Sequence, residues 1–182
     1  MPTSGGWGLI ALLLVAGCGS ASAGQPVRTD DARGDVAVSA EQSGTARRLA
    51  WVVDRSDTMA TSASAAECLV AGAACSVDGM LDVDTLRLRA SSLAEALTHA
   101  LDPAHPGYLG RPGSAALDLA HDTVGAATRA SEVLARWLHT GCGSNIDGIA
   151  VTSHPPECDD LATDGDQAVR KLEGVLARWP AP

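Results

Sequence analysis

The side chains best suited to chemistry in this chain are its cysteines and histidines. Two short groups bring them together: His139 and Cys142 in "HTGC", and His154 and Cys158 in "HPPEC". Two imidazoles and two thiolates at H-x2-C and H-x3-C spacing can complete a tetrahedral zinc site. The same two cysteines, together with Cys68 and Cys75, can instead form disulfides, the ordinary fate of an even number of cysteines in an exported chain. Four cysteines allow three pairings. Cys68 and Cys75 cannot bridge on one straight helix, because two turns hold the Cα atoms about 10 Å apart and a disulfide needs less than about 7 Å. A break at Gly72 removes that obstacle. Cys142 and Cys158 flank one connector, stiffened by Pro155-Pro156. The spacing favours Cys68–Cys75 and Cys142–Cys158, with His139, Cys142, His154 and Cys158 as the alternative metal set.

No other grouping assigns a reaction. There is no G-x-S-x-G elbow, H-E-x-x-H, C-x-x-C-H, P-loop or Glu-x-x-His pair. The reading therefore names no catalytic residue and no cofactor. Asp159, Asp160, Asp164 and Asp166 gather where the last helix is expected to begin, and the helix macrodipole favours negative charge there. They lack the spacing of an EF-hand loop.

The elements that position these groups read as helices. Ala, Leu and Arg are plentiful, Phe is absent and there is one Tyr, a balance that disfavours sheet. A helical apolar period starts near Thr45, with Leu49, Val52, Val53, Met59, Ala60 and Ala63 on one face, and fades near Cys68. A second begins after Asp82 or Asp84, carries Leu86, Ala90, Leu93, Leu97 and Leu101, and stops at Asp102-Pro103. The third runs from Ser114 to Gly141 with Leu117, Ala120, His121, Val124, Ala127, Thr128, Ser131, Leu134, Ala135 and Leu138 as its stripe. That places His121 as a hydrogen-bonded core residue, while His99 and His105 flank a solvated connector. The fourth spans about Asp164 to Trp179, with Val169, Leu172, Val175, Leu176 and Trp179 facing inward. The one weak strand pattern is Gly148–Ser153. The expectation is an all-α, up-down-up-down four-helix bundle with disulfide-stapled loops over residues 45–182. In such a bundle the first and third connectors share an end. All four cysteines should then meet at one tip, with His139 and His154 nearby.

The N-terminus explains why disulfides are expected. An apolar run from Leu9 to Ala16 is far too short to span a bilayer, which takes about 20 residues. It ends in Val15-Ala16-Gly17-Cys18 and then gives way to Ser, Ala and Gly, which is the layout of a secretory signal. This exit resembles the lipobox of bacterial lipoproteins. The resemblance covers the leader alone, and the n-region "MPTSGGWG" departs from the pattern in having no Lys or Arg. It implies a diacylglycerol, with palmitate-type acyl chains, on the Cys18 thiol, and cleavage between Gly17 and Cys18. Residues 1–17 would be the signal peptide. Residues 18–44, rich in Gly, Ser and Ala and without periodicity, would be a flexible tether. About 25 such residues reach roughly 25–30 Å.

Charge narrows the partners. A formal net charge of −9 over 182 residues is repelled by nucleic-acid phosphates and by anionic lipid headgroups. Membrane attachment is expected through the lipid on Cys18, at the extracytoplasmic face, and no nucleic acid is expected. The function this supports is a lipid-anchored helical module acting in cell-envelope structure or protein interaction. The alternative is an extracytoplasmic binding protein for a small ligand or metal. Asp147, Ile149 and His154, in the loop between Cys142 and Cys158, are the candidate partner-binding residues.

Overall fold

The computed structural model describes residues 30–143 and 155–181, and of residues 30–38 and 73 the backbone alone. Five α-helices carry the fold: α1 Asp30–Arg55, α2 Ser62–Ala71, α3 Val77–Leu101, α4 Ser114–His139 and α5 Glu157–Leu176. Two 3-10 turns, Thr58–Thr61 and Gly72–Ala74, bracket α2. The described residues contain no strand, and the weak pattern at Gly148–Ser153 lies outside them.

The helix expected to run from Thr45 towards Cys68 is two helices in the structure. Asp57 adopts a left-handed conformation at φ 51°, which ends α1 and resets the helical phase. The Ser56 hydroxyl stabilises the turn by bonding the Val53 carbonyl at 2.6 Å and the Thr58 hydroxyl at 2.7 Å. The inward face therefore changes after Val53: Met59 is exposed, and Ser62, Ala65, Cys68 and Leu69 are buried instead. Upstream, α1 begins at Asp30, so residues 30–44, expected within the tether, are helical.

α1 and α2 together form the first limb of the bundle. Thr45 and Arg48 hydrogen-bond the Leu109 carbonyl beyond the end of α3, while Asp57 meets Arg89 halfway along it. The limb thus runs antiparallel to α3, and Cys68 joins Cys75 just before α3 begins. α4 packs against α3 and α5, and α2 closes the ring against α5. At that last contact Gly165 of α5 lets the Leu69 side chain approach. A Cβ there would lie 3.1 Å from Leu69 Cδ1.

Helix boundaries follow their caps. α3 starts at Val77, earlier than Asp82 or Asp84 suggests, because Ser76 is the N-cap and its hydroxyl accepts from Gly79 N at 3.1 Å. It ends before Asp102-Pro103 as expected. α4 starts at Ser114 after Gly113, and Gly141 follows its end at φ 77°, the left-handed conformation that closes many helices. α5 starts seven residues earlier than the apolar period suggests, which puts Glu157, Asp159 and Asp160 in its first turn.

The core divides lengthwise into two clusters. One joins Leu49 and Val53 of α1 to Leu93 and Leu97 of α3, Ala126 and Ala130 of α4, and Leu172 and Leu176 of α5. The other gathers Leu69, Val83, Leu86, Leu134, Trp137 and Val169 around the cysteines. Leu49, Leu69, Leu86, Leu93, Leu97, Leu134 and Leu172 are all under 2% exposed, and burying each contributes roughly 1.5–3 kcal/mol. On α4 the buried residues are Ala120, Thr123, Ala126, Ala127, Ala130, Val133, Leu134 and Trp137, so Ala120, Ala127 and Leu134 of the expected stripe face the core, while its flank at His121 and Thr128 does not. His121 is exposed.

Candidate functional site

The two closed connectors meet at one end of the bundle. Cys68 pairs with Cys75 at a Cα separation of 4.8 Å, and Cys142 with Cys158 at 5.3 Å. Gly72, with φ 54°, supplies the break that brings Cys75 back towards Cys68. All four cysteines are nearly inaccessible and belong to a single apolar cluster with Trp137 at 0% exposure. The cysteine tip inferred from connector order is therefore present. Its sulfurs are part of the core as well as staples of the loops.

Two glycines let the backbone close over this cluster. A Cβ on Gly79 would lie 2.8 Å from Cys75 Sγ. A Cβ on Gly143 would run into the Trp137 ring and approach Met80 Cγ at 3.1 Å. The chain leaves α4 in a tight turn, with Gly141 N donating to Leu138 O at 3.1 Å and Cys142 N to Trp137 O at 3.3 Å. This delivers Cys142 to Cys158 in the first turn of α5.

His139 stands beside the tip, in an open groove of about 720 Å³ between the end of α4 and the start of α5. Arg136 and Thr140 line it from α4, and Glu157, Asp160, Leu161 and Asp164 from α5. Arg136 and His139 occupy the last turn of α4, where positive charge suits the helix dipole, and the α5 carboxylates face them from an N-terminus that favours negative charge. Farther along α5, the Asp166 carboxylate bonds Arg170 at 2.8 Å and raises the guanidinium pKa above its ordinary value.

The proposed ligand set is not assembled. Cys142 and Cys158 are bonded to each other, which leaves neither as a thiolate for zinc. Among the described residues no three His, Cys, Asp or Glu side chains converge to hold a metal ion. His154, Asp147 and Ile149 lie outside the described residues, as do Gly17 and Cys18. At the opposite end, His99 and His105 stack on each other, with ring centroids 3.8 Å apart and planes 8° from parallel. His105 Nδ1 accepts from Gly107 N at 3.0 Å, which orients its ring.

Comparison of the chain with protein families, with curated proteins and with solved structures gives no match. Among the described residues no helix is long and apolar enough to cross a membrane.

Sequence reasoning missed Trp137 as the centre of the tip. The pentapeptide Val-Leu-Ala-Arg-Trp occurs at 133–137 and 175–179 and was the available signal. Each copy sets a tryptophan at the end of its helix. Trp137 fills the cysteine end, while Trp179 folds onto α4 at the other and donates from Nε1 to Thr123 Oγ1 at 3.0 Å.

Proposed function

We propose that this protein is a lipid-anchored, extracytoplasmic helical module that acts in cell-envelope structure or protein interaction. The observation that carries the reading is the pair of disulfides closing both connectors at one end of the bundle. Disulfides of this structural kind persist in oxidising compartments, where a chain bearing Val15-Ala16-Gly17-Cys18 would be delivered.

The anchor and the tip would lie at opposite ends. Thr45 and Arg48 of α1 are tied to Leu109, in the connector farthest from the cysteines. The chain running back from α1 to Cys18 leaves from that side. With a lipid on Cys18, the stapled tip would face away from the membrane. Rigid loops at an exposed end lose little conformational entropy on contact, which suits recognition.

The test is fractionation of cells producing the wild-type chain and Cys18→Ala. The wild type should sediment with membranes and the variant should appear as unprocessed precursor or be released. Equal membrane retention and equal mass for the two proteins contradict the anchor.

A further inference from the structure

Three large aliphatic side chains stand exposed along one line of α3: Val77 at 59%, Leu81 at 61% and Leu88 at 51%. Steps of four and seven residues keep them on a single helix face, and Thr85 lies between the two leucines on that face. Monomeric proteins seldom leave such a line uncovered, and one rimmed by charge marks an interaction surface.

The charges along its two edges follow one order. On the edge towards α1 and α2, Asp82 precedes Arg89. Asp82 lines a depression with Ser64 and Glu67 of α2, and Arg89 reaches the Asp57 carboxylate at 3.1 Å. On the other edge, set by the helical step of 100° per residue, Asp84 precedes Arg87, and the two are bonded at 2.8 Å. Both pairs have the same midpoint, between Thr85 and Leu86. Between residues 82 and 89 the edges of the face are therefore acidic on the N-terminal side and basic on the C-terminal side, symmetrically about one point.

We propose that this face of α3 binds α3 of a second copy of the chain, antiparallel, about a two-fold axis passing between Thr85 and Leu86. In that register Asp82 of each copy meets Arg89 of the other, and Asp84 meets Arg87, giving four ion pairs. Leu81 of each copy falls within about two residue rises, ~3 Å, of Leu88 of the other. A two-fold contact must be self-complementary, and a face whose two charge pairs share one midpoint, with its two leucines centred one residue away, meets that condition. Each guanidinium has five donors, so Arg87 and Arg89 can keep their bonds within the chain while donating to a second carboxylate. One helix pair buries an area at the low end for specific interfaces, so the dimer is reversible and depends on concentration. The inference does not depend on the lipid anchor.

The test places a cysteine at the axis. In a Cys18→Ser background, full-length Thr85→Cys treated with a short bismaleimide should give a covalent dimer. Thr163→Cys, on the exposed side of α5, should not. Adding Leu88→Glu to Thr85→Cys should lower the dimer yield at least tenfold without changing the melting temperature. Arg87→Asp should lower it too, and Asp84→Arg combined with Arg87→Asp should restore it. Light scattering of the Cys18→Ser protein should show mass rising with concentration. Equal crosslinking at residues 85 and 163, or indifference to Leu88→Glu, overturns the proposal. So does a monomer at every concentration whose residue 85 crosslinks to a different protein.

Discussion

Gly79 passes so close to Cys75 that a Cβ on the glycine would lie 2.8 Å from the disulfide sulfur. The first turn of α3 and the Cys68–Cys75 bond are thus packed as one unit. In an ordinary helix, replacing Gly by Ala stabilises by roughly 0.5–1 kcal/mol. At Gly79 the sulfur must shift to admit the methyl group, so Gly79→Ala should lower the melting temperature. Gly125 of α4 has nothing within 4 Å of the same position, and Gly125→Ala should raise it. Thermal unfolding of both variants checks the opposite signs, and a stabilised Gly79→Ala contradicts the packing.

The two disulfides should contribute unequally. Their sequence separations are 7 and 16 residues. Loop-closure entropy then assigns about 2.4 kcal/mol to Cys68–Cys75 and about 3 kcal/mol to Cys142–Cys158. Replacing each pair with alanines and unfolding the variants in urea measures both. Unchanged stability in either double variant would remove that bridge from the account.

Within α4, sensitivity should follow the observed buried line. Trp137 is fully buried in the cysteine cluster, so Trp137→Ala should cost about 3–5 kcal/mol. His121 is exposed, so His121→Ala should change stability by less than about 0.5 kcal/mol. The reverse order in urea unfolding would restore the stripe that placed His121 in the core.

The C-terminal end is held to α4 by the Arg178–Asp122 ion pair at 2.9 Å and by a contact of Trp179 that can be tested alone. Thr123 Oγ1 accepts from Trp179 Nε1 at 3.0 Å and donates to Leu119 O at 2.7 Å. Thr123→Val keeps the shape but leaves the indole N–H without its acceptor, which should cost about 1 kcal/mol. Trp179 fluorescence should shift in the variant while Trp137 remains buried. An unchanged spectrum and stability contradict the contact.

Much of the fold was legible because burial on α3 and α5 is carried by leucine and valine at clear helical spacing. Leu86, Leu93, Leu97, Val169 and Leu172 all face the core as read. Where alanine carries the face the pattern is ambiguous. On α4 small residues occur on several sides, and the deciding contact, Trp137, sits at the helix end. The division of α1 from α2 turns on Asp57, whose left-handed backbone has no hydrophobic signature. Starts of helices were misplaced where a cap lies away from the apolar run, as with Ser76. The cysteine tip was legible because topology alone fixes it: in an up-down bundle the first and third connectors share an end. The stacking of His99 on His105 depends on how the connector folds back, which local sequence does not specify.

The central claim is that an oxidised domain is exported and held by a lipid on Cys18. The most direct measurement is the intact mass of the protein extracted from membranes, before and after thiol alkylation without reductant. The account predicts a chain beginning at Cys18, heavier by a diacylglyceryl group, with Cys68, Cys75, Cys142 and Cys158 all refractory to alkylation until reduced. A chain retaining residues 1–17, or an unmodified Cys18 with four alkylated thiols, would contradict it.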